Sequence, residues 1–127
     1  KGVLVEVGCE TDFVANTEKF GEFVKDMCLQ IVSMDGTRFI SEADVPEEAK
    51  EAELEIFRSQ AADKPADVQV KIAEGKLRKW YEEVCLLNQP YFRDEDLTVE
   101  QHRAALSSEM GENIEIKRFA SYTLGQE

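Results

Sequence analysis

Hydrophobic and polar positions first alternate along this chain and then follow a helical spacing. Residues 2–8 alternate valine with Leu4 and Glu6 and end at Gly8, which predicts a mostly buried strand. In residues 16–33 the apolar positions recur at i, i+3, i+4 and i+7, which predicts an amphipathic helix. The apolar stripe of this helix consists of Phe20, Phe23, Val24, Met27, Cys28, Ile31 and Val32.

Two further helices are predicted after the break at Asp35-Gly36. Residues 46–60 begin with proline, which is favoured in a first helical turn, and are rich in glutamate, so this second helix is expected to be largely solvated. A third helix is predicted from Ala66 to the stop at Gln89-Pro90, because proline cannot continue a helix.

The last part of the chain combines a short helix with a second alternating run. Thr98 and Gln101 have capping-box spacing, which predicts a fourth helix that continues to about Met110. Residues 113–124 alternate and predict a long strand. The order strand, helices, strand predicts an α+β fold, in which an antiparallel sheet has the helices packed on one face.

Composition limits the classes of function. The 127 residues fit one domain, and 27 acidic against 15 basic side chains give a net charge of −12, which disfavours direct nucleic-acid binding. The apolar stretches are far shorter than the roughly 20 residues needed to span a bilayer, so no membrane role is expected. Three cysteines cannot all pair within the chain; they indicate a reducing compartment, although one intermolecular disulfide remains an alternative.

Few residues suggest catalysis or metal binding. Cys9, Cys28 and Cys85 are widely spaced, and His102 has no companion at ligand spacing, so no metal site is expected. No glycine-rich phosphate loop is present, so no nucleotide cofactor is expected. One enzymatic alternative, a thiol enzyme with Cys9 as nucleophile and His102 as base, requires these distant residues to meet. The sequence predicts no catalytic residues.

The segment between the first strand and the first helix places an aromatic residue in a loop. Its residues Thr11, Asp12, Phe13 and Val14 allow two interpretations. In the structural one, Thr11 or Asp12 caps a helical turn and Phe13 packs back on the helix as a hydrophobic staple. In the functional one, Phe13 protrudes beside an acid and fills a pocket on a protein partner. Spacing alone leaves both open.

Four stretches of the chain resemble the elongation factor Ts family. They are VEVGCETDFVAN at 5–16, DVPEE at 44–48, EGKLRKWYEEVCLLNQP at 74–90 and GENIEIKRF at 111–119. They cover nearly the whole chain and follow the order of the family. The resemblance implies that residues 1–127 form a single elongation factor Ts core, or dimerisation, domain. It also implies a translation elongation factor that exchanges guanine nucleotide on elongation factor Tu.

The resemblance implies a specific role for the loop segment. In this family the Thr-Asp-Phe-Val sequence inserts into the nucleotide-binding domain of GDP-bound elongation factor Tu and promotes GDP release. We carry that role to Thr11, Asp12, Phe13 and Val14 only. The resemblance further implies a homodimer, for which the apolar side chains of the third helix are a candidate interface. An alternative is a dimerisation or scaffold module that binds the partner without catalysing exchange.

Three features depart from the family pattern, and a fourth refines the resemblance. Gly8 stands where the signature usually has asparagine, and Gln30 where some members have a histidine that contacts the partner. The small N-terminal helical domain of the family is absent before Lys1, so we expect a part of a longer protein. Residues 89–94 and 122–125 look most like cyanobacterial and plastid members, which implies the bacterial cytoplasm or the plastid stroma.

Overall fold

The computed structural model describes residues 1–125, and these form the predicted α+β fold. Two short 3₁₀ turns, Glu42–Asp44 and Leu86–Asn88, lie between the longer elements. In chain order the elements are β1 (Gly2–Gly8), α1 (Asp12–Ala15), α2 (Glu18–Ser33), α3 (Glu47–Gln60), α4 (Ala66–Val84), β2 (Pro90–Tyr91), β3 (Asp94–Thr98), α5 (Val99–Met110) and β4 (Glu115–Tyr122).

The first and last strands pair with each other. β1 and β4 form an antiparallel two-stranded sheet with a register shift between Glu6 and Val7. Ile116 and Phe119 are three residues apart, so strict alternation would place them on opposite faces of the sheet. The shift leaves Lys117 as an extra residue, a β-bulge, which lets both side chains pack into the core. The alternation that predicted β4 therefore holds only with this bulge.

The main core lies between this sheet, α2 and α5. The predicted stripe of α2 supplies Phe20, Phe23, Met27 and Ile31 to it, whereas Val24 and Cys28 are only half-buried. Val32 is exposed, so the prediction was wrong at that end of the stripe. From α5, the following turn and β4, the core receives Val99, Leu106, Ile114 and Ile116.

Helices α3 and α4 pack on each other and form a second, smaller core. Trp80, Val84 and Cys85 of α4 and its end are buried there against residues that include Phe57 of α3. The outer face of α3 carries the predicted exposed glutamates, of which only Glu53 is half-buried. Within residues 1–125, no helix has both the length and the apolar character that a membrane crossing requires.

The third helix ends earlier than predicted. α4 stops at Val84, and Cys85 is extended with φ −103° and ψ 117°. There the backbone forms bridge-like hydrogen bonds instead, with Leu86 donating to the carbonyl of Phe39 at 2.9 Å and Leu87 to that of Ile40 at 3.0 Å. Pro90 then begins the small antiparallel hairpin β2–β3, which the sequence analysis did not predict.

Candidate partner-binding site

The residues singled out from the sequence form one capped helical turn. α1 begins after Thr11, whose Oγ1 accepts a hydrogen bond from the Val14 amide at 3.3 Å. A second cap follows directly, because Thr17 Oγ1 accepts from the Phe20 amide at 3.3 Å and donates to the Val14 carbonyl at 2.7 Å. Thr17 thus joins the end of α1 to the start of α2. Threonine side chains thus stabilise the turn at both ends by hydrogen bonds.

The turn directs two neighbouring apolar side chains to different sides, one into the core and one into solvent. Val14 is 4% exposed and belongs to the main core, whereas Phe13 is 84% exposed. Successive side chains of a helix point about 100° apart, so burial of Val14 turns Phe13 outward. The structural interpretation was correct that Thr11 caps a turn, but its staple was wrong, because Phe13 does not pack back on the helix.

The remaining members of the segment are arranged around this aromatic ring. Asp12 is exposed and lies in the first turn, but the cap hydrogen bond is made by Thr11. The structure therefore brings Thr11, Asp12, Phe13 and Val14 together, with Phe13 and Asp12 facing solvent and Val14 facing the core. We call these four residues the 11–14 segment.

A glutamate from the other end of the chain contacts this segment. Glu112 Oε1 accepts hydrogen bonds from the amides of Glu10 and Thr11, both at 3.0 Å. Glu112 Oε2 accepts one from the Thr11 hydroxyl at 2.6 Å. In the sequence, Glu112 stands out only as part of the GENIEIKRF stretch that resembles the family. Glycine after a helix signals its end, but no local signal shows that the next side chain reaches residues 10 and 11.

The cysteines and the histidine do not meet as a thiol enzyme requires. Cys9 Sγ donates to the carbonyl of Thr11 at 3.2 Å, whereas His102 packs against the rings of Tyr91 and Phe23. Burial, with the acids Glu42 and Asp44 nearby, raises the pKa of Cys85 to about 11, so this thiol is protonated at neutral pH. No group of three or more His, Cys, Asp or Glu side chains in residues 1–125 is arranged to hold a metal ion.

Gln30, which replaces a partner-contacting histidine of some family members, is buried in this chain. Its amide nitrogen donates to Gln89 Oε1 and to the Pro90 carbonyl, both at 3.1 Å. Its amide oxygen accepts from the Phe92 amide at 2.9 Å. These contacts direct the side chain of Gln30 into the molecule, where it joins α2 to the β2–β3 hairpin.

Comparison with known proteins agrees with the four stretches. The sequence model of the family described as Elongation factor TS matches residues 21–126. Proteins named Elongation factor Ts from Caldanaerobacter subterraneus, Koribacter versatilis and Synechocystis sp. are 51%, 49% and 43% identical to the chain. Each alignment covers 98% of the chain but only 63%, 57% and 58% of the respective relative. The chain thus spans less than two thirds of the length of these relatives, and it belongs to the elongation factor Ts family.

Proposed function

We propose that this chain is a guanine-nucleotide exchange domain that acts on GDP-bound elongation factor Tu. The observation that supports the proposal best is the 84% exposure of Phe13 on a turn with a cap at each end. Burying a phenylalanine side chain is favourable by about 1.5–3 kcal/mol, so an exposed Phe13 on a pre-formed turn can gain this free energy in a pocket of a partner. In this proposal Phe13 is buried in the partner instead.

Exchange by insertion is a redistribution of binding free energy. Phe13 would bind best to a conformation of elongation factor Tu in which GDP and its magnesium ion are held weakly. A factor that binds this conformation better weakens GDP binding, and GDP weakens binding of the factor to the same extent. The process makes and breaks no covalent bond, and the proposal assigns the chain no catalytic residue and no cofactor.

The four residues of the 11–14 segment have two different roles in this proposal. Phe13 fills a pocket of the partner, and exposed Asp12 accepts charge-assisted hydrogen bonds from partner groups. Thr11 and Val14 stabilise the turn, because Thr11 caps it and Val14 is buried in the core. Because the turn is already formed, little conformational entropy is lost when it binds, which favours affinity.

The proposal is tested by the release rate of a fluorescent GDP analogue from elongation factor Tu. We expect the parent chain to accelerate release and Phe13→Ala to remove most of that acceleration. Ile56→Ala is the matched control, because Ile56 is also an exposed large apolar residue but lies on α3. Equal acceleration by the parent and Phe13→Ala would exclude insertion of Phe13. Binding of elongation factor Tu without faster release would favour the scaffold alternative.

We further propose that residues 1–127 form one core domain and that two copies of the chain form a homodimer. We propose the bacterial cytoplasm or the plastid stroma as its location. The third helix buries Trp80 and Val84 within the chain but leaves Val68 and Val70 exposed. The outer face of the β1–β4 sheet is a better candidate. Leu4 is 72% and Tyr122 70% exposed there, and Leu4 pairs with Ala120. A second copy that covers this face would bury these side chains.

A further inference from the structure

We propose that Glu112 is a positioning residue for Phe13, a role that rests on the exchange function proposed above. Glu112 does not belong to the 11–14 segment, and its carboxylate accepts hydrogen bonds from Glu10 and Thr11. It would act on the partner only through the orientation of the turn that carries Phe13. This role is supported by the directions of the hydrogen bonds, by the conformation of the turn that carries Glu112 and by the solvent exposure of the contacts.

The directions of the hydrogen bonds link Glu112 to the cap of α1. A hydroxyl has one proton to donate and lone pairs to accept. Because the Thr11 hydroxyl donates to Glu112 Oε2 at 2.6 Å, its lone pairs are free to accept from the Val14 amide at 3.3 Å. Glu112 thus selects the hydroxyl rotamer in which Thr11 caps α1. The carboxylate and the cap form one continuous chain of hydrogen bonds to the turn.

The contact between the two ends of the chain is reciprocal. While Glu112 accepts from the backbone of Glu10, the carboxylate of Glu10 accepts from the amide of Asn113 at 3.3 Å. Each carboxylate is therefore bound by backbone N–H groups of the other segment. Two such groups fix both the position and the rotation of the loop before α1, which a single hydrogen bond would not do.

The turn that carries Glu112 is itself rigid. Gly111 has φ 70°, a left-handed conformation that favours glycine and ends α5. The next apolar residue, Ile114, is buried, and its amide donates to Ser107 Oγ at 3.0 Å. Arg103 Nη1 donates to the carbonyl of Ile114 at 2.7 Å. Glu112 is thus attached to α5 and to the core, and it transmits that fixed position to Thr11.

We expect Glu112 to contribute more to the orientation of Phe13 than to stability, because its contacts are exposed. The contacts of Glu112 to Glu10 and Thr11 are exposed to solvent. If the carboxylate is removed, water replaces it at small net cost to the free energy of unfolding. The loop before α1, however, loses three of its four hydrogen bonds to residues 112 and 113, so the turn samples other orientations of Phe13. Glu112→Ala should therefore reduce exchange activity more than stability.

The test compares Glu112→Ala, Glu112→Gln and Glu115→Ala. Glu115 is exposed on β4, so its variant makes the same change in net charge nearby. We expect Glu112→Ala to reduce the acceleration of GDP release about tenfold, a typical size for coupling between sites. Glu112→Gln should recover only part of it, because the amide oxygen still accepts from the two backbone amides, whereas the NH2 group in the place of Oε2 cannot accept from the Thr11 hydroxyl. Glu115→Ala should match the parent.

A double-mutant cycle with Phe13→Ala, read as the dissociation constant for elongation factor Tu, separates positioning from other effects. If Glu112 acts through Phe13, Glu112→Ala weakens binding in the parent but has no further effect in Phe13→Ala. An equal loss in both backgrounds, or parent-like exchange by Glu112→Ala, would overturn the inference.

Amide hydrogen exchange tests the positioning role of Glu112 independently of the proposed nucleotide-exchange function. In Glu112→Ala, the amides of Glu10, Thr11 and Val14 should exchange faster, while amides in the middle of α2 keep their protection. If the parent chain does not accelerate GDP release, the exchange function fails, but this measurement still decides whether Glu112 orders the segment. Unchanged protection at these three amides would show that it does not.

Discussion

At the scale of single residues, His102 combines packing and titration. Its ring stacks on Tyr91 with 4.2 Å between centroids and 12° between planes, and it also contacts Phe23. Burial lowers the pKa of His102 below the ordinary value of 6.5, while the charge of Asp26 acts in the opposite direction. Burial has the larger effect, so the folded chain favours the neutral imidazole.

We therefore expect His102 to make stability depend on pH near neutrality. Because its pKa is lower in the folded chain than in the unfolded one, the unfolded chain takes up the proton first. The stabilisation is complete above about pH 6.5 and is lost as the pH falls through the pKa of the folded state. His102→Phe keeps an aromatic ring and removes the titration. Urea unfolding should show a smaller change between about pH 7 and 5.5 for this variant than for the parent.

An equal pH dependence in both proteins would show that His102 does not titrate with folding. The interpretation is direct, because His102 is the single histidine of the sequence. Most carboxylates titrate below this range, since their ordinary pKa values lie near 4.

At the scale of elements, a buried amide network joins α2 to the segment after α4. Gln89 Nε2 donates to Thr37 Oγ1 at 2.6 Å and to the Glu83 carbonyl at 3.3 Å, and its Oε1 accepts from Gln30. In residues 1–125, no buried side-chain nitrogen or oxygen lacks a hydrogen-bond partner. The network is thus fully paired, the condition in which buried polar groups hold elements in one arrangement.

Gln89→Leu should be strongly destabilising. The change keeps the approximate size of the side chain but leaves polar atoms of Gln30 and Thr37 without this partner, and an unpaired buried group costs about 1–3 kcal/mol. We expect a loss of about 2–4 kcal/mol in the free energy of unfolding, measured by urea denaturation. Gln60→Leu is the control, because Gln60 is exposed at the end of α3. Similar losses in both variants would argue against the network.

At the scale of the whole molecule, strong net charge and an open sheet face act against each other. Each chain carries a net charge of −12, so two copies repel at long range. The outer face of the β1–β4 sheet, with Leu4 and Tyr122 exposed, favours association. Salt screens the repulsion but leaves apolar burial largely unchanged.

We expect the dimer to form more readily as the salt concentration rises. Size-exclusion chromatography with light scattering should show the mass of two chains in moderate salt and a shift toward one chain at low salt. Leu4→Glu adds a charge to the sheet face and should give a monomer, whereas Ile56→Glu on α3 adds the same charge elsewhere and should not. A monomer under all conditions, or a dimer insensitive to Leu4→Glu, would contradict the proposed interface.

Local patterns predicted most of the elements because their causes are local. The period of apolar residues in α2, the alternation in β1 and the capping box of Thr98 and Gln101 each act within a few residues. The errors occur where distant segments compete. α4 ends at Val84 because the following backbone pairs with Phe39 and Ile40, and the β2–β3 hairpin and the bulge at Lys117 also depend on such partners.

By itself the sequence determined the α+β class, the position of the 11–14 segment and, through its four similar stretches, the family. The orientation of Phe13 and the contact of Glu112 with Thr11, in contrast, follow only from the tertiary structure. Phe13 is exposed because Val14 belongs to the core, and the turn is held by Glu112 from the opposite end of the chain. Burial of a loop residue and long-range hydrogen bonds depend on which distant segments are in contact in the fold. The spacing of residue types along the chain does not specify those contacts.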